Sequence, residues 1–379
     1  MSSTSWSPGP SVEHPFRPRG AGADAGERPP TAGVFAGSRR RAYEMFLVVI
    51  AGVAVLYLLL PQLAGLGETW ARIERGDPWW LALALACTIA SFGGYVAVFR
   101  GVFAGHASRL DWRASYQITM AGLAASRLFG AGGAGGIALT AWALRRSGMA
   151  RRDVADGCIA FLVLTYAVYV GAMVFAAIGL RSGVLSGPAP FAMTVVPAAV
   201  GLLAVVLALS ALVLPPDLER RLKHRCERGD RIGCWAERPA HVPSALRAGV
   251  RDALAHLRSA NPALLGTLAF WGLQIAVLWA AFRAFGQSPT GGVLVLAFFV
   301  GMVGNLLPTP GGVGGVEGGM IGAFVALGVD AGLALVAVLV YRAFVFWLPT
   351  LPGTVAYFQL RGTVARWHAD APSAPAITA

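Results

Sequence analysis

The sequence predicts an all-α integral membrane protein, and three observations carry that expectation. Only 13% of the 379 residues are charged while 56% are hydrophobic, against about 25% charge in soluble domains. Uncharged apolar stretches of about 20 residues, enough to cross a hydrocarbon core, recur along the chain. Lysine and arginine gather between those stretches rather than within them, which is the pattern that orients membrane helices. That gathering accounts for the net charge of +12, so no nucleic-acid partner is inferred.

In chain order, residues 1–42 are rich in Ser, Gly, Pro and Arg and contain no apolar run. They predict a disordered basic tail rather than a signal peptide. The membrane domain is expected over 43–361, with full spans at 45–63 and 79–99. The next apolar region is divided into 115–129 and 137–147 by Leu128-Phe-Gly-Ala-Gly-Gly-Ala-Gly-Gly136, and each half is too short to cross alone. Full spans follow at 157–180 and 191–214. Residues 215–260 form a basic loop. Within it Leu246, Val250, Leu254 and Leu257 line one helical face and Arg247, Arg251 and Arg258 another, as in a helix lying on anionic lipid or a solvated loop. A span at 263–282 precedes a second divided region, 292–307 with 316–328, broken by Leu307-Pro-Thr-Pro-Gly-Gly-Val-Gly-Gly315. The last span is read at 333–359, and 362–379 as a cytoplasmic tail.

The two breaks superimpose at an offset of 179 residues, which marks an internal repeat, about 79–214 and about 261–361. Unpaired backbone amides in lipid cost several kcal/mol each, so non-helical backbone at that depth survives only inside protein or beside water. Each break is therefore expected to be the tip of a re-entrant helical hairpin facing the interior. The alternative is eight full spans, two of them kinked at glycine. With six spans and two hairpins, 25 of the 31 lysines and arginines fall on one side and four (Arg72, Arg75, Arg181, Arg283) on the other. This bias predicts an inner (cytoplasmic) membrane protein with both termini in the cytoplasm. The first hairpin then enters from the cytoplasm and the second from outside, an inverted repeat of the kind transporters use.

The two remaining arginines, Arg127 and Arg342, lie within the apolar segments together with Glu317. Charges at that depth cost roughly 2.5–3.5 kcal/mol on insertion scales, so they are usually paired and often functional. Two arginines and one glutamate leave one surplus positive charge, suited to the phosphate of an anionic or zwitterionic phospholipid. The amides at Gly132, Gly133, Gly311 and Gly312, leading into half-helices, favour the same anion. The structural alternative has Glu317 offsetting its own helix dipole and pairing with Arg342 while Arg127 reaches toward the interface.

Other motifs are discounted. Gly130, Gly132 and Gly135 satisfy G-x-G-x-x-G, but no βαβ unit surrounds them. Cys226 and Cys234 with His224 and His241 lack zinc-finger spacing, so neither metal nor cofactor is expected. No catalytic acid–base pair or Walker lysine is present, which favours a transporter over an enzyme.

The run Asn305-Leu-Leu-Pro-Thr-Pro-Gly-Gly-Val-Gly-Gly-Val-Glu317, followed by Gly328-Val329, Tyr341-Arg342, Trp347-Leu-Pro349 and Gly353, resembles the transmembrane (flippase-like) domain of lysylphosphatidylglycerol synthases. The resemblance covers about 45–361 and is most specific in the second hairpin; the first lacks its Asn, Pro and Glu. It places Asn305, Pro308, Pro310 and Tyr341 beside the charged residues as candidate substrate contacts. In full synthases such a domain is associated with translocating aminoacylated phospholipid, while a separate soluble domain performs the transfer. Residues 362–379 are too few for that domain, so the resemblance implies a stand-alone flippase-like protein. Two further readings stay open: a membrane enzyme modifying a lipid headgroup, and a scaffold recruiting a separately encoded lipid synthase or glycosyltransferase through 215–260.

Overall fold

In the computed structural model of the chain, the described residues are 76–103, 110–128, 134–210, 262–306 and 312–369, with a few positions inside 247–255. All regular structure among them is helical: α1 Pro78–Phe103, α2 Trp112–Leu128, α3 Ala134–Arg146, α4 Arg151–Arg181, α5 Phe191–Ser210, α6 Pro262–Phe285, α7 Gly291–Met302, α8 Gly315–Ala326, α9 Ala331–Arg342 and α10 Thr350–Ala369. A 3₁₀ turn at Val303–Leu306 extends α7, and a π-helical turn at Ala343–Trp347 joins α9 to α10. Five helices are long and apolar enough to cross a membrane: Pro78–Phe103, Arg151–Arg181, Phe191–Ser210, Ala263–Phe285 and Ala331–Trp367. They match five of the six spans read from sequence. The first span at 45–63, the tails 1–42 and 370–379, most of the 215–260 loop and the Cys226–Cys234 segment lie outside the described residues.

The helices outrun the apolar windows because their hydrogen bonding continues into polar ends. Helix α4 begins at Arg151 rather than 157, and its first turns carry an i,i+4 contact between Arg152 and Asp156 at 3.9 Å. Both Gly-rich breaks separate short helices packed antiparallel. In the first pair Gly122 faces Thr140 and Gly136 faces Ser126, so closely that a Cβ on Gly136 would overlap the Ser126 hydroxyl. In the second, Gly301 meets Met320 and Gly304 meets Gly315. Lipid supplies no hydrophobic drive between helices, so close backbone approach through glycine is what gives such pairs their attraction.

The long helices pack by the same means. Helices α1 and α6 run antiparallel from the Asp77 amide, which donates to the Ala284 carbonyl at 3.0 Å, past Gly94 and Gly266, to Gly101 against Ala263. A Cβ on Gly266 would stand 2.8 Å from the Gly94 carbonyl oxygen. Two other contacts join helices distant in the chain. Met120 of α2 lies against Gly353 of α10, and Phe299 of α7, 179 residues beyond Met120, accepts the Tyr169 hydroxyl of α4 at 2.5 Å.

The molecule thus has two ends. At one, Thr290 donates to the Ser186 carbonyl at 2.6 Å and Gly328 sits against Pro188, so the α7–α8 pair has both outer ends there. At the other, Arg100 bonds the Leu110 carbonyl at 3.2 Å and stacks on Trp112, and Phe103 contacts Gly157. The α2–α3 pair starts and finishes at that second end. Helix α5 leaves most of its side chains uncovered, with Leu203 58% and Leu207 61% exposed. In water such a surface is an aggregation liability; in a bilayer it is the surface required.

Candidate functional site

The three interior charges identified in the sequence lie close together. Glu317 and Arg342, each 4% exposed, are the buried charged residues among those described. Glu317 is the third residue of α8, and its Oε2 accepts the Gly314 amide at 2.8 Å. Its other oxygen, Oε1, accepts from Arg342 Nε at 2.7 Å. The carboxylate therefore closes the N-terminus of its own half-helix, where negative charge is favoured, and neutralises the arginine one helix away. That is the pairing named by the structural alternative, and it also places Arg342 at a fixed position beside the second break.

Arg127 does not reach toward the interface. At the last turn of α2 it extends across to the final span. Its Nη2 donates to the Val345 carbonyl at 2.8 Å, and its Nη1 to the Phe346 carbonyl at 2.6 Å and the Thr350 hydroxyl at 3.2 Å. The local chain explains those partners. In the π turn the Leu348 amide bonds back to Ala343 at 3.0 Å, and the next residue, Pro349, has no amide hydrogen to return to Val345. A buried carbonyl left without a donor costs about 1–3 kcal/mol, and the guanidinium replaces the missing donor. Both cations also lie on one ring: Arg342 Cζ is 4.2 Å and Arg127 Cζ 5.0 Å from the Phe346 centroid. Arg127 contacts Phe92 of α1 as well, at 5.7 Å.

Of the other candidates, Tyr341 stays beside this centre, within electrostatic reach of Arg342, Arg127 and Glu317, while Asn305 and Gly312 lie at the second break. Tyr341 is fully buried, its hydroxyl donating to Gln274 of α6 at 2.7 Å and its ring edge-on to Phe298. Asn305 is exposed at the end of the 3₁₀ turn, and its Nδ2 donates to Met302 Sδ at 3.3 Å. Gly312 has φ +69°, and a Cβ there would collide with the Asn305 side chain, so glycine is required by both conformation and space. Gly132, Gly133, Pro308, Pro310 and Gly311 lie outside the described residues. Phe346, Thr350 and Gln274 were not singled out from sequence. Pro349 carried a legible signal, since a proline inside an apolar span predicts an orphan carbonyl; nothing linear connects it to Arg127.

Chemically the centre holds two guanidiniums and one carboxylate. Arg342 is compensated by Glu317, and Arg127 is held by neutral oxygens. The set carries one net positive charge in an apolar surround that opposes an isolated ion.

Residues 46–353 match the family described as the lysylphosphatidylglycerol synthase TM region. Two curated relatives, both described as a UPF0104 membrane protein of Methanothermobacter thermautotrophicus, are similar over shorter stretches. One is 35% identical over 91 residues, 24% of this chain and 26% of the relative. The other is 30% identical over 133 residues, 33% of this chain and 40% of the relative. Each match spans less than half of the relative's own length.

Proposed function

The chain belongs to the lysylphosphatidylglycerol synthase TM region family, and on that premise we propose that it binds a phospholipid headgroup inside the membrane and passes it between leaflets. The observation that carries the reading is the convergence on Phe346 of Arg127, from the first helix pair, and Arg342, anchored to the second through Glu317. A phosphate oxygen is a charged acceptor, and its hydrogen bonds are roughly twice as strong as those to a carbonyl. A headgroup phosphate entering the centre therefore competes with Val345 and Phe346 for the Arg127 guanidinium. Its negative charge cancels the surplus positive one, which lowers the cost of carrying the headgroup through hydrocarbon.

The packing supports an inverted repeat of re-entrant hairpins. Helices α3, α7 and α8 have 12 or 13 residues, so each rises about 18–20 Å against about 30 Å of hydrocarbon. The corresponding spans α1 and α6 run antiparallel; α2, the first helix of one pair, packs on α10, and α7, the first helix of the other, packs on α4. The arginine bias orients the Arg145–Arg152 end to the cytoplasm of an inner membrane.

The test is headgroup flipping of fluorescent phosphatidylglycerol and phosphatidylethanolamine in liposomes reconstituted with the full chain. Wild type accelerates flipping, and Glu317→Gln, Arg342→Ala and Arg127→Ala each slow it by about tenfold or more, the loss of one charged contact. Flipping by wild type no faster than empty liposomes, or equal in all variants, rejects the reading.

A further inference from the structure

A lateral groove of about 400 Å³ runs along α3, from Ile137 near its start to Arg145 in its last turn, between α3 and α4. Its floor is apolar, made by Ile137 and Ala141 of α3 and Val154 and Cys158 of α4, and Arg145 and Arg151 stand at one end. Ile137 is 45% exposed along it. A slot with a hydrocarbon floor and two guanidiniums at its mouth has the shape of an acyl chain ending in a phosphate.

The arginines differ in what the fold alone requires of them. Arg145 is in the last turn of α3, where positive charge suits the helix dipole. Arg151 opens α4, where positive charge opposes the dipole, and Arg152 follows it. The capping position before them is Ala150, which makes no side-chain cap. Asp153 lies in that first turn, and Asp156 stands 3.9 Å from Arg152. A phosphate at this corner would accept from a helix N-terminus and two arginines together.

We propose that this groove holds a resident anionic phospholipid, acyl chain against Ile137, Ala141, Val154 and Cys158 and phosphate between Arg145 and Arg151, which wedges the first hairpin onto α4 and is not itself transported. The site is separate from the Arg127 centre and stands whether or not the protein moves lipid.

The test is thermal unfolding of the purified full chain in phosphatidylcholine nanodiscs with rising fractions of phosphatidylglycerol. The expected result is a saturable rise of several degrees in Tm. The double variant Arg145→Gln/Arg151→Gln and the groove-filling Ala141→Trp each abolish the rise. Arg146→Gln/Arg152→Gln, equal in charge removed but outside the groove, keeps it. Were the double variant to misfold, Ala141→Trp alone would decide. Equal loss in both arginine pairs would mean surface charge rather than a site. A rise reproduced by inorganic phosphate in pure phosphatidylcholine would mean a free anion rather than a lipid; either result overturns the proposal.

Discussion

Glu317, Arg342 and Arg127 illustrate two ways of keeping a charge at membrane depth. The first two share an ion pair reinforced by a helix N-terminus; the third is satisfied by the Val345 carbonyl that a π turn and a proline leave open, and by the Phe346 carbonyl and Thr350 hydroxyl beside it. Removing one member of a buried pair costs roughly 3–5 kcal/mol, because the survivor is left uncompensated. Glu317→Gln alone should therefore lower the thermal midpoint more than the double substitution Glu317→Gln/Arg342→Gln does, read as a double-mutant cycle in detergent. Arg127 yields a second cycle. Arg127→Ala should destabilise the wild type by about 1.5–3 kcal/mol, the range for hydrogen bonds to charged groups. In a Pro349→Ala background, where residue 349 regains an amide for Val345, the same change should cost about half as much. Equal costs in both backgrounds would show that the guanidinium is not replacing that amide.

At the scale of elements, glycine decides which helices touch. Gly266→Leu places a branched side chain on the Gly94 backbone and Gly301→Leu places one on Met320, whereas a Cβ on Gly318 or Gly322 meets nothing within 4 Å. The first two substitutions should cost about 1–3 kcal/mol or more by overpacking; Gly318→Ala and Gly322→Ala should leave the thermal midpoint unchanged or slightly raised. Size-exclusion profiles and melting curves of the four variants check this. The spans themselves were legible, since 20 apolar residues have few other destinations, and both divided regions became paired short helices as their glycines implied. Helix ends were missed where polar residues continue the hydrogen bonding, as at Arg151–Asp156 and beyond 359 in α10. The π turn at Ala343–Trp347 was invisible inside an unbroken apolar run. The Glu317–Arg342 pair was foreseeable from two opposite charges in adjacent half-buried segments; the Arg127 contact was not, because its partners are backbone carbonyls more than 200 residues away.

For the whole molecule, the proposed arrangement is two helix pairs entering from opposite faces and meeting at one charged centre. Three facts support it together: antiparallel α1 and α6, packing of α2 on α10 and of α7 on α4, and the grouping of Arg100, Arg145, Arg146, Arg151 and Arg152 at one end against Arg181 and Arg283 at the other. Its most direct test is single-cysteine accessibility in intact cells, with all native cysteines replaced. Ala150, at the base of the first pair, and Gln287, at the base of the second, are both exposed. The account predicts that a membrane-impermeant maleimide labels Gln287→Cys from outside and labels Ala150→Cys only after the membrane is opened. Labelling of both from the same face would contradict opposite entry and, with it, the inverted pair of hairpins on which the translocation reading stands.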